Sequence, residues 1–399
     1  MVASIGRNGA AALACLIACA CRASPAVEVP FDLSGNHVFV EARVRGEILS
    51  FVFDTGAEGT VIDTAASRRL GLTATGSSRV VGALGETRIP VMAGLSIELG
   101  ALHLEDVTAA FIPLEHLEEV LGRPLDGIIG GDVLRDRVVA IDYDRAMISI
   151  HDRDAFSFEG WGSACPLTGR AGSSRVGGTL ELLDGTVIEG DFAVDSGANQ
   201  YLELAAPFVR RERLAARVGA TYSVPGRALT GATTKKRVGH VRRFSFCGFE
   251  VPGAKGTLPV GLSNASAGVL GQGTVAGLLG NGILRKFNTV FDTRRARMFL
   301  RPNRYFGDEL PLDASGLFLI RTREGSVVVD ATVSASPSAD AGILPGDVLT
   351  RIDGDVIADL PLDVIRVRLS EVPALRTLEV VRDGVARSVE LRLRRLGTH

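Results

Sequence analysis

An internal repeat constrains the fold of this chain more than any other feature of its sequence. The stretch FVFDTGAEGTVID, Phe51 to Asp63, returns as FAVDSGANQYLEL, Phe192 to Leu204. In each copy an acid follows an apolar run and precedes a hydroxyl residue, a glycine and an alanine. The matched residues are Asp54, Thr55, Gly56 and Ala57 in the first copy and Asp195, Ser196, Gly197 and Ala198 in the second. Such a repeat predicts two similar structural units.

A second pair of segments repeats downstream of the acids. Residues 126–150 return as residues 276–300, and a weaker match joins Val80–Val91 to Ala228–Gly239. Two apolar residues and a glycine recur at matching places: Ile128, Ile129 and Gly130 in the first copy, Leu278, Leu279 and Gly280 in the second. One Asp-Thr-Gly triplet is ordinary turn chemistry, but a turn does not recur by accident together with a distant partner segment. The sequence therefore indicates one duplicated unit with loop insertions.

The doubled motif resembles the aspartic peptidases of the retropepsin and pepsin type. In that family each half contributes one Asp-Thr/Ser-Gly loop, and an apolar-apolar-Gly segment packs behind it. The alanine after each triplet is more similar to retropepsins. The resemblance covers residues 30–302 and implies a mainly β, two-lobed acid protease fold, with closed barrel-like lobes at 30–152 and 165–302 related by a pseudo-twofold axis. Gly-rich connections and short β-branched segments independently indicate an all-β architecture.

Two acids in one site have a defined chemistry. Carboxylates held about 3 Å apart cannot both ionise, so they share one proton. One then acts as general base for a bound water, while the other donates a proton to the scissile carbonyl. We therefore identify Asp54 and Asp195 as the candidate catalytic residues of an aspartic-type endopeptidase, titrating as one unit. This chemistry needs no metal and no other cofactor.

The residues beside the two acids have supporting roles. Gly56 and Gly197 have no side chain, which lets the two backbones approach each other. The resemblance implies that the hydroxyls of Thr55 and Ser196 hydrogen-bond across the pseudo-twofold axis and lock the loops. Plain turn capping is the alternative role for these hydroxyls.

Two glycine-containing segments lie where the family carries a flap, a hairpin that closes over substrate and excludes water. They are the GALG turn with Gly82 and Gly85, and Thr230–Thr234 with Gly231. Neither segment contains Tyr or Trp, which departs from the pepsin pattern and leaves open which one is a working flap. A simple hairpin tip is the alternative for the GALG turn.

The C-terminal part of the chain resembles a bacterial PDZ domain. The segment SPSADAGILPGDVLTRIDGDVI, Ser336 to Ile357, has a short helix, a Gly turn, a strand and a hairpin in family order. We expect a linker at 303–315, a PDZ domain at 316–396, and a helix over Leu360–Val372 beside the peptide groove. The resemblance implies that a loop holds a polypeptide C-terminus through its backbone amides; its residues are Gly316, Leu317, Phe318 and Leu319. Alternatively, this unit only packs on the peptidase.

The N-terminus predicts export. The apolar stretch Gly9–Cys21 has the length of a secretory core region and is too short to span a bilayer. We therefore expect residues 1–26 to be a signal segment and the protein to be periplasmic. The LIAC sequence ending at Cys19 resembles a bacterial lipobox, which implies lipidation of Cys19 and attachment to the membrane. Ordinary signal cleavage after Ala20 or Ala26 is the alternative.

Composition excludes several classes of function. A net charge of −2 gives no global attraction to nucleic acid, and the basic runs at 210–217 and 234–243 are interpreted as solvated surface. The six histidines are scattered without metal-ligand spacing, which disfavours a metal site. GQGTVAG, Gly271 to Gly277, has Gly-x-Gly without the rest of a dinucleotide-binding fingerprint, so nucleotide binding is disfavoured.

The residues leave two further alternatives open. Either Cys165 and Cys247 form a disulfide in an oxidising compartment, or they remain as two buried free thiols. A peptidase-like scaffold can also capture peptides through its cleft and a PDZ groove without cutting them. Because one chain carries both acids, we expect a monomeric catalytic unit whose partners are protein or peptide substrates.

Overall fold

A computed structural model of the chain describes residues 26–82, 85–227, 229, 231, 233–251, 256–265, 268–271, 273–308 and 312–397. The described chain is mainly β. We refer to residues 27–152 as the first half, residues 165–308 as the second half, and residues 312–397 as the C-terminal unit. None of the helices in these described residues combines the length and the apolar composition that a membrane span needs.

The first half consists of strands joined by short helices. Its strands are β1 (Val27–Pro30), β2 (Asp32–Ser34), β3 (His37–Val44), β4 (Glu47–Phe53), β5 (Thr60–Asp63), β6 (Gly76–Gly82), β7 (Gly85–Leu99), β8 (Leu102–Ile112), β9 (Gly127–Ile129), β10 (Arg137–Asp142) and β11 (Met147–Asp152). Its helices are α1 (Thr64–Arg69), α2 (Glu115–Leu121) and α3 (Gly131–Leu134). Asp63 begins α1 by accepting hydrogen bonds from the backbone of Ala65 and Ala66.

The second half has a similar order of elements. Its strands are β12 (Cys165–Pro166), β13 (Arg175–Glu181), β14 (Val187–Asp195), β15 (Leu202–Leu204), β16 (Tyr222–Arg227), β17 (Thr233–Val241), β18 (Arg243–Phe246), β19 (Phe249–Val251), β20 (Leu258–Leu262), β21 (Gly277–Gly280), β22 (Phe287–Asp292) and β23 (Arg297–Pro302). Its helices are α4 (Ala206–Arg211) and α5 (Asn281–Leu284), and 3₁₀ turns lie at Leu214–Ala216 and Thr293–Arg295.

The sequence repeat is also a repeat of topology. In the first half the sheet order is β2-β3-β4-β9-β5-β8-β7-β6, and β3 also pairs with β7. In the second half the order is β16-β17-β20-β15-β21-β14-β13-β18-β19. The strand that ends at each acid runs parallel to the strand of the apolar-apolar-Gly segment, β4 beside β9 and β14 beside β21. Apolar side chains of both sheets form one continuous core, in which Phe51 and Phe192 are fully buried.

A third sheet joins the two halves. Its order is β1-β11-β10-β22-β23-β12, so three strands of the first half and three of the second meet at the central β10–β22 pair. The first half begins at Val27 rather than at residue 30, because β1 pairs with Met147–Ile150. The second half extends into the predicted linker, because Tyr305 and Phe306 pack on the core and Lys286 Nζ donates to both of their carbonyls.

The C-terminal unit has its own sheet and core. Its elements are β24 (Leu317–Arg321), β25 (Val327–Thr332), β26 (Val348–Ile352), β27 (Asp355–Val356), β28 (Ala374–Arg382), β29 (Val385–Leu393), α6 (Pro337–Asp340) and α7 (Leu362–Arg368). The order is β24-β25-β26-β28-β29, with β27 on β26. The helix predicted over Leu360–Val372 is shorter, because it starts after Pro361 and ends where Ser370 N bonds back to Val367 O.

A disulfide joins Cys165 in β12 to Cys247 in the turn between β18 and β19. The bond closes a long loop of the chain, and such bonds typically contribute about 2–4 kcal/mol by restricting the unfolded state. We expect the C165S/C247S variant to unfold at a lower urea concentration than the wild type in oxidising buffer. Adding reductant should lower the wild-type midpoint and leave the variant unchanged. Equal midpoints in oxidising buffer would contradict a stabilising bond.

Candidate active site

The two repeated acids meet at the junction of the halves. Asp54 follows β4, and Asp195 is the last residue of β14. Their carboxyl groups are joined by a hydrogen bond. The glycine of each loop faces the acid of the other: a β-carbon added to Gly56 would lie 2.7 Å from Asp195 Cγ, and one added to Gly197 would lie 2.3 Å from Asp54 Cγ. Only glycine at both positions permits this approach.

Backbone amides hold each carboxyl group in place. Gly56 N donates to Asp54 Oδ1 at 2.7 Å, and Ala198 N donates to Asp195 Oδ1 at 3.0 Å. Ala57 occupies the position equivalent to Ala198, and its backbone amide is also a partner of the Asp54 carboxyl. These bonds leave each acid little freedom to rotate away from the other.

The hydroxyl residues link the two loops directly. Thr55 N donates to Ser196 Oγ at 2.9 Å, and Ser196 N donates to Thr55 Oγ1 at 3.0 Å. The hydroxyl of Ser196 donates onward to Phe53 O at 2.9 Å, and that of Thr55 to Val194 O at 3.4 Å. Both side chains are buried. The reciprocal bonds fix the spacing of the two acid-bearing loops, because neither loop can shift without leaving buried polar groups unpaired.

The apolar-apolar-Gly segments lie directly behind the loops. Asp54 N donates to Ile129 O at 2.8 Å, and Asp195 pairs in register with Gly280. A β-carbon on Gly130 would lie 1.7 Å from Asp54 O, and one on Gly280 would lie 2.2 Å from Gln200 O. The remaining members of these segments, Ile128, Leu278 and Leu279, are all buried.

Burial raises the pKa of both acids. The pKa of Asp195 lies well above its usual value, first because the carboxyl is buried and second because of the Asp54 charge beside it. The pKa of Asp54 is raised by burial, while its hydrogen bonds to Asp195 and to backbone amides oppose this. The pair therefore keeps one shared proton at a pH where an exposed aspartate has lost its own.

Comparison with known families gives a match in the first half. The family model described as "Aspartyl protease" matches residues 40–133. Residues 40–133 form an aspartyl protease-like domain. The matched segment contains Asp54 with its loop and the Ile128–Gly130 segment behind it, and the match supports peptidase activity. A search of curated proteins found no match to the chain.

The segments predicted as flaps lie at hairpin ends in both halves. In the aspartyl protease-like domain, Gly82 pairs with Gly85 at the end of the β6–β7 hairpin, and residues 83 and 84 lie outside the described residues. In the second half Gly231 adopts a left-handed conformation, and a β-carbon there would lie 3.6 Å from His116 Nδ1 in α2. Gly231 therefore lies close to the first half, while residues 228, 230 and 232 of this segment lie outside the described residues.

The predicted carboxylate loop already has internal partners. Gly316 N donates to Asp313 Oδ2 at 2.7 Å, and Leu317 N donates to Ser315 Oγ at 3.0 Å. Phe318 packs with Tyr222 and Val224 of the second half, and Leu319 is buried in the core of the C-terminal unit. Two of the backbone amides expected to receive a carboxylate are thus occupied by side chains of the preceding residues.

Two polar residues beside the site, His37 and Asn281, carry no motif. His37 lies next to the backbone of Gly197, and burial lowers its pKa to about 4, so the ring is neutral above that pH. Asn281 N donates to Ala198 O, and its amide group donates to Asn36 O. Asn281 is the one of the two that lies in the repeat. There the copies differ, because the first copy has Gly131 at the matching place, and this difference is the only sequence signal for Asn281.

The remaining predictions fall outside this site. Cys19 and the rest of residues 1–25 lie outside the described residues. Residue 272 in the Gly271–Gly277 segment also lies outside them. Within the part of the chain that the structure describes, no group of three His, Cys, Asp or Glu side chains has a metal-binding arrangement.

Proposed function

We propose that this protein is an aspartic-type endopeptidase in which Asp54 and Asp195 form the catalytic dyad. The observation that carries the proposal is the close approach of these two partly buried acids at equivalent places of a duplicated unit, each packed against the glycine of the other loop. The family match to residues 40–133 supports it independently. We further propose that the two halves are the lobes of a pepsin-like or retropepsin-like fold, and that one chain is a complete catalytic unit.

The dyad hydrolyses a peptide bond with one proton shared between the acids. The ionised carboxylate takes a proton from a water molecule while the water oxygen attacks the scissile carbonyl carbon. The protonated carboxyl donates its proton to the carbonyl oxygen, which gives a neutral tetrahedral diol. Proton transfer to the amide nitrogen then allows the carbon–nitrogen bond to break, and the shared proton returns to the dyad. Water is consumed, and no metal or cofactor enters any step.

The substrates and the location of the protein are proposed on separate grounds. The partners are protein or peptide substrates, since the dyad acts on a backbone amide. The apolar stretch Gly9–Cys21 supports export to the periplasm. The LIAC sequence supports attachment of the exported protein to the membrane through a lipid on Cys19. The Cys165–Cys247 disulfide supports an oxidising compartment.

Digestion of an unfolded protein in the presence of a transition-state analogue tests this function. We expect new termini by mass spectrometry at acidic pH, and we expect a statine-type peptide to suppress them, because it imitates the tetrahedral diol. A chelator and a serine-directed inhibitor serve as controls and should have no effect. Saturable peptide binding without any cleavage would contradict the enzyme and favour a peptide-binding protein.

A further inference from the structure

A segment of the first half occupies the groove of the C-terminal unit. We define this groove as the space between the edge of β24 and α7; among the described strands, β24 pairs only with β25. Helix α2 of the first half packs along β24. A peptide added to β24 as an extra strand would need the same space.

Arg366 of α7 bridges the two sides of this contact. Its Nη2 atom donates to Leu319 O in β24 and to Val120 O in α2, both at 2.7 Å. Arg366 is partly buried, and loss of solvent around the guanidinium lowers its pKa to about 10. A cation withdrawn from water needs partners for its donors, and the carbonyl of Val120 supplies one of them across the contact.

The last turn of α2 fits closely against α7. Gly122 ends α2 in the left-handed conformation, and a β-carbon there would lie 2.5 Å from Leu362 Cβ. Polar contacts border this apolar approach. Asp363 Oδ2 accepts from Ser34 Oγ at 2.8 Å, and Arg323 pairs with Glu115 at 2.9 Å. The contact therefore has an apolar centre and hydrogen-bonded edges.

The inner face of α2 packs toward the catalytic loop. Leu117 and Leu121 lie in the same apolar cluster as Ala57, which follows the Asp54 loop, and Ile128. Glu118 Oε1 also accepts from Leu125 N at 2.9 Å, just before β9. One helix thus contacts the support of the dyad on one face and the C-terminal unit on the other.

We propose that the groove of the C-terminal unit binds α2 of the same chain and thereby braces the apolar cluster beside the Asp54 loop of the catalytic site. This brace rests on the proposed peptidase function, whereas the docking itself does not. The internal bonds of Asp313 and Ser315 to the loop amides are consistent with a groove that takes no external carboxylate. A polypeptide C-terminus that entered the groove would have to displace α2.

Two variants with matched controls test the docking without any activity measurement. Arg366→Ala removes the bridge to Val120, and Arg368→Ala is its control, since Arg368 pairs only with Asp355 in the same unit. Gly122→Ala drives a β-carbon into Leu362. Gly71→Ala is its control, because Gly71 follows the last residues of α1, has the same left-handed backbone, and its β-carbon would meet only Arg45 Nη1, at 3.7 Å.

Hydrogen exchange of the α2 amides is the first readout. We expect exchange over residues 115–122 to increase about tenfold in Arg366→Ala and Gly122→Ala, and to stay at the wild-type rate in both controls. Unchanged protection in both test variants would overturn the docking. Tight binding of a labelled peptide with a free apolar C-terminus, with α2 still protected, would also overturn it, since both cannot fill the groove.

Peptide cleavage is the second readout and separates the two proposals. If the brace is correct, kcat/KM falls in the two test variants in proportion to the loss of hydrogen-exchange protection in α2. The control variants keep the wild-type kcat/KM. Unchanged or increased cleavage in a variant with unprotected α2 would overturn the brace. A wild type without peptidase activity would refute the proposed function, while the exchange result would still decide the docking.

Discussion

Replacing Asp54 or Asp195 by Asn is expected to lower peptide cleavage by about 10²–10⁴-fold or more, because each variant removes one partner of the acid–base pair. Both variants should remain folded, since Asn fills the same space and keeps an oxygen for the amides of Gly56 or Ala198. The measurement is kcat/KM on a peptide substrate, with circular dichroism as the check on folding. Full activity in either variant would contradict the dyad.

The same substitutions should change how stability depends on pH. Both acids have a raised pKa in the folded state, chiefly through burial. A group of this kind contributes stability that is fully present below its unfolded pKa, about 3.9, and is lost as the pH rises through the folded value. At neutral pH the wild type therefore carries a penalty that Asp195→Asn removes. We expect the variant to have the higher urea midpoint at neutral pH, and the difference to shrink toward pH values of about 4.

An exposed aspartate provides the control for both measurements. Asp359 lies on the surface in a turn of the C-terminal unit. Asp359→Asn should leave cleavage unchanged and should show the wild-type dependence of the urea midpoint on pH. If Asp195→Asn also followed the wild-type curve, burial of the dyad would be contradicted even though activity had been lost.

The parts of the site that lie close together in sequence could be predicted from it. Each acid, its hydroxyl neighbour and its glycine form one short loop, and duplication placed two copies of that loop in one chain. Gly130 and Gly280 could be identified because they recur at matching distances behind the acids. The backbone crowding at Asp54 O then explains why glycine is required at position 130.

The contacts between units could not be predicted in this way. Arg366 has the sequence environment of an ordinary charged residue on a helix surface, and nothing local indicates that it bonds to Val120. Asp313 falls within the predicted linker, and nothing in its neighbourhood indicates the bond that it accepts from Gly316 N. His37 has no repeated counterpart among the motifs. Such contacts depend on how separate elements pack, and a single sequence carries no period or motif for them.

Replacing Gly197 by Ala is expected to separate the dyad without changing either acid. The added β-carbon would lie 2.3 Å from Asp54 Cγ and 2.5 Å from its Oδ2, which forces the carboxyl aside. A displacement of the reacting groups on the order of 1 Å can cost about 10²-fold in rate. We therefore expect kcat to fall by about that factor, with a smaller change in KM, in steady-state assays of peptide cleavage.

Gly59→Ala is the matched control for this separation. Gly59 lies in the same loop as Asp54, its backbone is not left-handed, and its β-carbon would come no closer than 3.8 Å, to Asp132 Oδ2. That variant should keep wild-type kcat.

Separation of the two acids in Gly197→Ala also weakens the effect of the Asp54 charge on Asp195, so the pKa of Asp195 should fall. The residual activity of Gly197→Ala should therefore lose its alkaline limb at a lower pH than the wild type. A variant with normal kcat and an unshifted pH profile would show that the close approach of the two loops is not what activates the acids.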